Sequence, residues 1–463
     1  MNFFISNICT ITGIEDPVIM ATIKKRLTIA NPFYNKKTEL GLSTWNVPTT
    51  LTFYDQIAES TIQIPVGALP DIISYLKENY KPIQQSDIHD LRLDTSDIGK
   101  IYFKDVKFTG TLRDYQQEIV NCVLDKTIGV VEAMTGSGKT ITFVKIIVDR
   151  KIPTLILVNT LELANQIIDS FITFTNLKKE DIGYIGNGKF ILKPITVALH
   201  QTMHKLGKSE FALINSLFGQ VIADEVHIVA AKTYYKTMTS LKAKYKFGFS
   251  ATPKRDDGLT NVIYFATGPK IHTVPLEKLK DVLIVPSYKQ ILTDYYFPLM
   301  DSKEYIMLLD DLSIDKDRNQ KIAQEALTNY NDKYVCLLCN RINQIIELKN
   351  LLGEEAVIIH SKTKKKERLL AMEQLKNKQK RYVISTFGLF STGIDIPHLD
   401  TVFICAPIRS EVKLRQTAGR IMRLAEDKGS ATIVDFVDYK IELLRKQANK
   451  RKYIFNQIMT GTL

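Results

Sequence analysis

AMTGSGKT, Ala133 to Thr140, is the stretch on which the fold turns. Before it lies IGVVEA (Ile128 to Ala133), a short apolar run that reads as a buried strand. After it, TITFVKIIVDR (Thr140 to Arg150) carries its apolar residues at helical spacing. Strand, glycine-rich loop and helix is the context in which backbone N–H groups wrap a phosphate at the positive end of a helix. Gly136, Ser137 and Gly138 leave the loop nearly bare of side chain. On this reading Lys139 reaches the β- and γ-phosphates of a nucleotide and Thr140 ligates Mg²⁺. Ala133 stands where the usual first glycine would be, and the plain alternative is a glycine-rich turn. The flanking strand and helix argue for the phosphate loop.

Outward from this loop, short apolar runs alternate with helical segments: TLILV (154–158), ITVA (195–198), QVIAD (220–224) and KFGFS (246–250). The rhythm resumes with YVCLLC (334–339), AVII (356–359), YVIST (382–386), TVFICA (401–406) and ATIVDF (431–436). It predicts two consecutive α/β lobes, each a parallel sheet with helices on both faces. Residues 269–318, with Pro275, Pro286 and Pro298, read as a mixed link. Residues 1–108 hold short alternating stretches such as STIQIPV (60–66) and one amphipathic helix over 69–80, a small α+β unit. The expected boundaries are therefore 1–108, 109–275 and 276–463.

Composition narrows the class. No apolar run is long enough to span a bilayer, and the start lacks a basic, cleavable leader, so a cytoplasmic, non-secreted protein is expected. Five scattered cysteines fit a reducing compartment; Cys336 and Cys339 form a CxxC, but without a partner pair they read as part of a buried strand. Net charge is +12. Residues 1–108 hold 11 Lys/Arg against 12 Asp/Glu, a net of −1, so the remaining chain carries +13. A polyanionic partner for the loop-bearing part is favoured.

Strand ends carry the chemistry in open α/β sheets. VIADEVH ends one strand with Asp224 and Glu225. Asp224 would hold Mg²⁺ together with Thr140, and Glu225 would orient and deprotonate the attacking water. Ser250 and Thr252 in FSATPKR would bond to the acidic pair and relay nucleotide state. In the second lobe, RQTAGRIMR (415–423) places Gln416, Gly419, Arg420 and Arg423 near the start of a helix. Arg420 and Arg423, three apart, share one face and would stabilise charge on a γ-phosphate as an arginine finger does. STFGLFSTGIDIP (385–397) offers Thr386 and Gly388 for a nucleic-acid phosphate, and Gly393 and Asp395 for the nucleotide cleft.

In order, these stretches resemble the motifs of superfamily 2 helicases of the DEAH/DExH kind. LRDYQ (112–116) resembles the adenine-reading segment, with Gln116 the base contact. AMTGSGKT matches motif I, so Thr135, Gly136, Ser137, Gly138, Lys139 and Thr140 are assigned to ATP. LILVNTLELANQ (155–166) resembles motif Ia; DEVH and SAT match motifs II and III; CLLCNRINQI (336–345), STFGLFSTGIDIP and QTAGRIMR resemble motifs IV, V and VI. The set spans roughly 112 to 423. It implies two RecA-like lobes with ATP between them and a nucleic-acid strand crossing their top. Backbone contacts are then assigned to Thr160, Gln201, Asn340, Arg341 and Thr386, with His360 and Ser361 lining the strand path. Leu199 stands where relatives often carry Thr.

SATPKRDDG (250–258) and the compact layout look most similar to phage UvsW-type branch-migration helicases and the XPB-like group. The resemblance implies an ATP- and Mg²⁺-dependent DNA helicase acting on forked or junction DNA in recombination, replication or repair, with a monomer favoured. An RNA helicase of the same superfamily and a nucleotide-gated clamp without motor activity are the alternatives. The run SKTKKKER (361–368) is either a solvated face or added positive field. The basic tail 439–459 reads as a helix capping the second lobe with a basic outer face. For Phe33, Tyr34 and Trp45, core packing is favoured over stacking on bases.

Overall fold

The computed structural model describes the chain except residues 40, 81–82, 93–94, 228–230, 256, 299–303, 394–395, 426–427 and 462–463. Two compact units emerge: Met1–Ala133 with Gly138–Val274, and Met134–Ser137 with Pro275–Leu463. The fold is α/β, with two tandem RecA-like parallel-sheet lobes after a small α+β domain.

The first unit opens with strands β1 (Asn2–Ile5), β2 (Ile8–Thr12), β3 (Thr28–Ala30), β4 (Thr50–Thr52), β5 (Asp55–Ala58), β6 (Thr61–Pro65) and β7 (Ile88–Asp90). Among the described residues, five of them form a sheet in the order β5-β6-β2-β1-β7, while β3 and β4 pair separately. The alternating burial of β2 and β6 puts Cys9, Ile11, Ile62 and Ile64 under the helices Pro17–Arg26 and Leu69–Asn79. This core does not close on itself. It runs on to Ile128 and Phe265, and Phe53 stacks edge-on against Tyr235 and tilted against Phe265, with centroids 5.1 and 5.2 Å apart. The helix Ser96–Tyr102 approaches so closely that a Cβ on Gly99 would lie 1.8 Å from the Lys151 carbonyl oxygen.

The first lobe adds β8 (Ile128–Glu132), β9 (Thr154–Val158), β10 (Ile182–Gly186), β11 (Lys189–Ile191), β12 (Ile195–Leu199), β13 (Gln220–Asp224), β14 (Tyr245–Ser250) and β15 (Lys270–Thr273). They run β11-β10-β12-β9-β13-β14-β8-β15, all parallel except the β10–β11 pair. β9, β12 and β13 are buried throughout, as sheets covered on both faces require.

The second unit holds β16 (Ser287–Thr293), β17 (Val335–Cys339), β18 (Ala356–Ile359), β19 (Tyr382–Thr386), β20 (Thr401–Ile404) and β21 (Thr432–Asp438), in the order β16-β21-β20-β17-β19-β18, all parallel. Residues 269–318 are thus not merely a link: β15 and β16 are edge strands of the two sheets. Their half-polar sequences, KIHT and SYKQILT, bury little and so lack a core-strand pattern. Cys336 and Cys339 lie in buried β17, and burial holds both thiols well above the ordinary range.

The basic tail forms the helix Glu442–Thr460, packed on β21, β16 and the helix Glu411–Ile421. Not all of its cations face outward. Arg451 is buried, with Nε 3.0 Å from Asp435 Oδ2.

Candidate active site and nucleic-acid interface

The loop after β8 bends where only glycine does so freely: φ is 91° at Gly136 and 78° at Gly138. Gly138 is the N-cap of the helix Lys139–Arg150, whose N-terminus therefore opens onto the loop. Gln116 lies underneath, 1 % exposed. Its Oε1 accepts from the Arg113 N–H at 2.9 Å, and its amide nitrogen would stand 2.4 Å from a Cβ on Gly138. The loop glycine and the glutamine thus occupy one spot.

Lys139 starts that helix, and its Nζ lies 2.8 Å from Glu225 Oε1. Asp224 ends β13, two strands from β8, and is buried. Burial raises its carboxyl to about 7, the neighbouring Glu225 charge adds to this, and Lys139 opposes it. Glu225 has φ 49°, in the left-handed region that a non-glycine residue occupies at a cost. The turn sends its side chain back to Lys139, while its N–H donates to Asp224 Oδ1 at 3.0 Å. Asn159 Nδ2 donates to the Glu225 carbonyl at 3.3 Å.

A row of polar contacts runs on from the pair. His227 Nδ1 lies 3.5 Å from Glu225 Oε2 and 2.5 Å from Ser250 Oγ, which also accepts from the Thr252 N–H at 3.1 Å. Arg255 Nη1 donates to the His227 carbonyl at 2.9 Å. Ser250 therefore bonds His227 and is set beside the acidic pair. His227, Arg255 and Asn159 had no role in the sequence reading. All three sit inside the quoted motifs, so position alone was the available signal.

Could this cluster take Mg²⁺ and a nucleotide? Two adjacent carboxylates, one of them deeply buried, offer oxygen ligands to a cation. Among the described residues there is no group of three or more His, Cys, Asp or Glu side chains fit to cage a metal. Mg²⁺ is normally held by one or two carboxylates plus substrate phosphates and waters, so Asp224 with the half-buried Thr140 hydroxyl suits it.

The carboxyl edge of the first sheet divides in two. β8, β14 and β13 carry the loop, Ser250 and the acids. The neighbouring β9 and β12 lead into Thr160 and Gln201. Thr160 Oγ1 caps the helix Leu161–Phe174 by accepting from the Leu163 N–H, and Gln201 is exposed. In the second sheet, the adjacent β17, β19 and β18 end at Asn340 and Arg341, at Thr386, and at His360 and Ser361. Asn340 Nδ2 donates to the Pro407 carbonyl at 2.6 Å, and Arg341 Nε pairs with Asp310 at 2.6 Å. Thr386 Oγ1 accepts weakly from the Leu389 N–H at 3.5 Å, while Ser361 is exposed and His360 half-buried.

The arginine segment needs correction. Ser410 caps the helix Glu411–Ile421, so Gln416 lies mid-helix, Arg420 in its last turn and Arg423 beyond its end. Arg420 and Arg423 do not share a helical face. Arg423 forms an isolated antiparallel bridge with Leu283, and the Ile284 N–H donates to the Met422 carbonyl at 2.6 Å. Lys428 stops the helix by donating its ammonium to the Ile421 and Arg423 carbonyls. Gln416 is buried, and the Arg420 guanidinium lies 5.9 Å from the Phe390 ring centre. Gly393 ends the helix Phe387–Gly393, and Asp395 lies outside the described residues.

Known proteins share this layout. Residues 109–255 match the family described as type III restriction enzyme, res subunit, and residues 317–425 match the helicase conserved C-terminal domain. The chain is 26 % identical over 374 residues to a putative ATP-dependent RNA helicase, L396, of Acanthamoeba polyphaga mimivirus, covering 76 % of this chain and 69 % of that one. It is 25 % identical over 410 residues to the DNA 3'-5' translocase XPB2 of Sulfurisphaera tokodaii, covering 77 % and 90 %. Among solved structures, a putative HsdR subunit fragment of a Vibrio vulnificus type I restriction enzyme aligns at TM-score 0.56 and 19 % identity, over 74 % and 67 % of the two chains. T4 UvsW aligns over 99 % and 98 % at 18 % identity, with a TM-score of 0.44. Among the described residues no helix is long and apolar enough to cross a membrane.

Proposed function

We propose that this chain, which belongs to the superfamily 2 helicases and is related to the XPB group, is an ATP-driven DNA motor that unwinds or branch-migrates forked and junction DNA. Helicases of these families use ATP, typically with Mg²⁺. The observation that carries the reading is the Lys139–Glu225 contact beside buried Asp224. An incoming γ-phosphate competes for the Lys139 ammonium. Once Lys139 turns to the phosphate, Glu225 is released to accept a proton from water. Mg²⁺, held by Asp224 and Thr140, would supply charge neutralisation at the phosphates. Gln116 would read the base, and Gln416, Arg420 and Arg423 would complete the catalytic set.

The strand-end rows, Thr160 and Gln201 in one lobe and Asn340, Arg341, His360, Ser361 and Thr386 in the other, are assigned to the sugar-phosphate backbone. Such binding is salt-dependent and tolerant of sequence. Substrate recognition is assigned to residues 1–108 and the motor lobes to 109–275 and 276–463, in a monomer serving recombination, replication or repair. The relative named a DNA translocase, similar over most of its length, favours DNA. The similarity to a putative RNA helicase favours the second reading, an RNA motor.

ATPase rates with single strands, duplex, forks and four-way junctions, together with displacement on matched DNA and RNA forks, test the proposal. Junction DNA should stimulate most, and Lys139→Ala should abolish both turnover and unwinding. Unwinding that survives Lys139→Ala sinks the motor; equal displacement of RNA forks sinks the DNA assignment.

A further inference from the structure

Between Asn31 and Thr49, none of the described apolar side chains is buried. The helix there, Pro32–Glu39, has no buried residue. Trp45 is 82 % exposed and Phe33 59 %, which overturns the core-packing expectation for both. Tryptophan is normally among the most buried side chains by area, so a nearly bare one is informative.

Polar bonds hold the segment instead. Buried Asn31 donates to the Pro48 carbonyl at 2.7 Å and accepts from the Phe33 N–H at 3.1 Å, while Lys37 Nζ donates to the Ser43 carbonyl at 3.0 Å. Ordering this chain costs conformational entropy that its own packing does not offset.

The same helix carries two cations, Lys36 and Lys37, against one acid, Glu39. The Lys37 ammonium sits 5.2 Å from the Phe33 ring centre. Exposed rings beside ammonium groups are the chemistry that stacks on unpaired bases and holds their phosphates.

This segment also abuts the row of polar contacts beside the acidic pair. A Cβ on Gly258 would lie 3.0 Å from Pro32 Cγ. Gly258 follows Asp257, which pairs with Arg255 at 2.5 Å, and Arg255 holds the His227 carbonyl.

We infer that Trp45 and Phe33 form a base-stacking contact for an unpaired nucleotide at a single-strand/duplex junction. This deepens the proposed function and rests on its nucleic-acid reading. Trp45 is the only tryptophan in the chain, so it reports on itself.

The full chain is titrated with a fluorescein-labelled DNA fork, reading tryptophan emission and fork anisotropy in the same samples. Stacking should quench the emission in parallel with the anisotropy rise. Trp45→Ala should raise the Kd for the fork roughly five- to hundredfold, and Trp45→Phe should recover most of the loss. Emission that stays flat while anisotropy saturates overturns the inference and leaves the motor reading intact. Absence of binding to any DNA or RNA strand overturns the nucleic-acid reading, and this contact with it.

Discussion

Lys246 shows what one buried charge does to the first lobe. It lies in β14, 2 % exposed, with its ammonium donating to the Met238 carbonyl at 2.9 Å. Burial pulls its pKa from about 10.5 to about 7, and the Arg92 charge pulls the same way. Between those values the unfolded chain binds the proton more tightly than the folded one, so stability rises with pH across that window. Below about 7 the full penalty remains. Lys246→Met keeps the length of the side chain and removes the proton. Urea unfolding at pH 7 and pH 9.5 should show the wild type gaining stability relative to the variant at the higher pH; a constant gap between them defeats the argument. Nothing in KFGFS betrays this burial, because the first Lys of a strand reads as its exposed edge. The acids differ. The place of Asp224 and Glu225 at a strand end was legible because an apolar run closing on two acids is a local pattern, whereas the left-handed turn at Glu225 and the His227–Ser250 bond depend on two strands meeting.

Strands were legible where their sequence is an unbroken apolar run, as in the sheet centres and in AVII at the edge strand β18; β11, β15 and β16 are half-polar, and the two glycines of IGYIG hide β10 although it is mostly buried. The helix Glu411–Ile421 was misplaced toward its C-terminus because no Gly or Pro marks its end, where the nearby Lys428 ammonium takes the Ile421 and Arg423 carbonyls. A long-range tie fixes the helix Lys316–Asn329 to the second sheet. Arg318 Nε pairs with Asp438 Oδ1 at 2.6 Å and Nη1 donates to the Cys405 carbonyl at 2.7 Å, both side chains being essentially inaccessible. Thr293 Oγ1 donates to the same carboxylate at 2.5 Å, joining β16 to the pair. Arg318→Met strands the Asp438 charge and should cost about 3–5 kcal/mol. The double change with Asp438→Leu should recover most of it in the same denaturation assay. A double variant no better than the single one would mean the helix is held by something else.

At the scale of the whole chain, residues 1–108 and the first lobe share one core, so they should unfold together although their compositions differ. The change of pattern near residue 109 is real as secondary structure, but sequence period says nothing about which surfaces fuse. Side chains and backbone both make the contact. Asn7 Nδ2 donates to the Thr239 carbonyl, Arg92 Nη1 to the Lys244 carbonyl, and Gly99 lies against Lys151, the C-cap of the helix that Lys139 begins. A methyl group at position 99 has no flexible neighbour to displace, so Gly99→Ala should cost about 1–3 kcal/mol through overpacking. Hydrogen exchange read by mass spectrometry along a urea series separates the regions. In the wild type, β1–β2 and β8–β9 should lose protection at one shared midpoint. Gly99→Ala should lower that midpoint for both pairs equally, with β17 and β20 unmoved. If β1–β2 open at their own lower midpoint, or only β8–β9 respond, the N-terminal domain is a separately folding attachment.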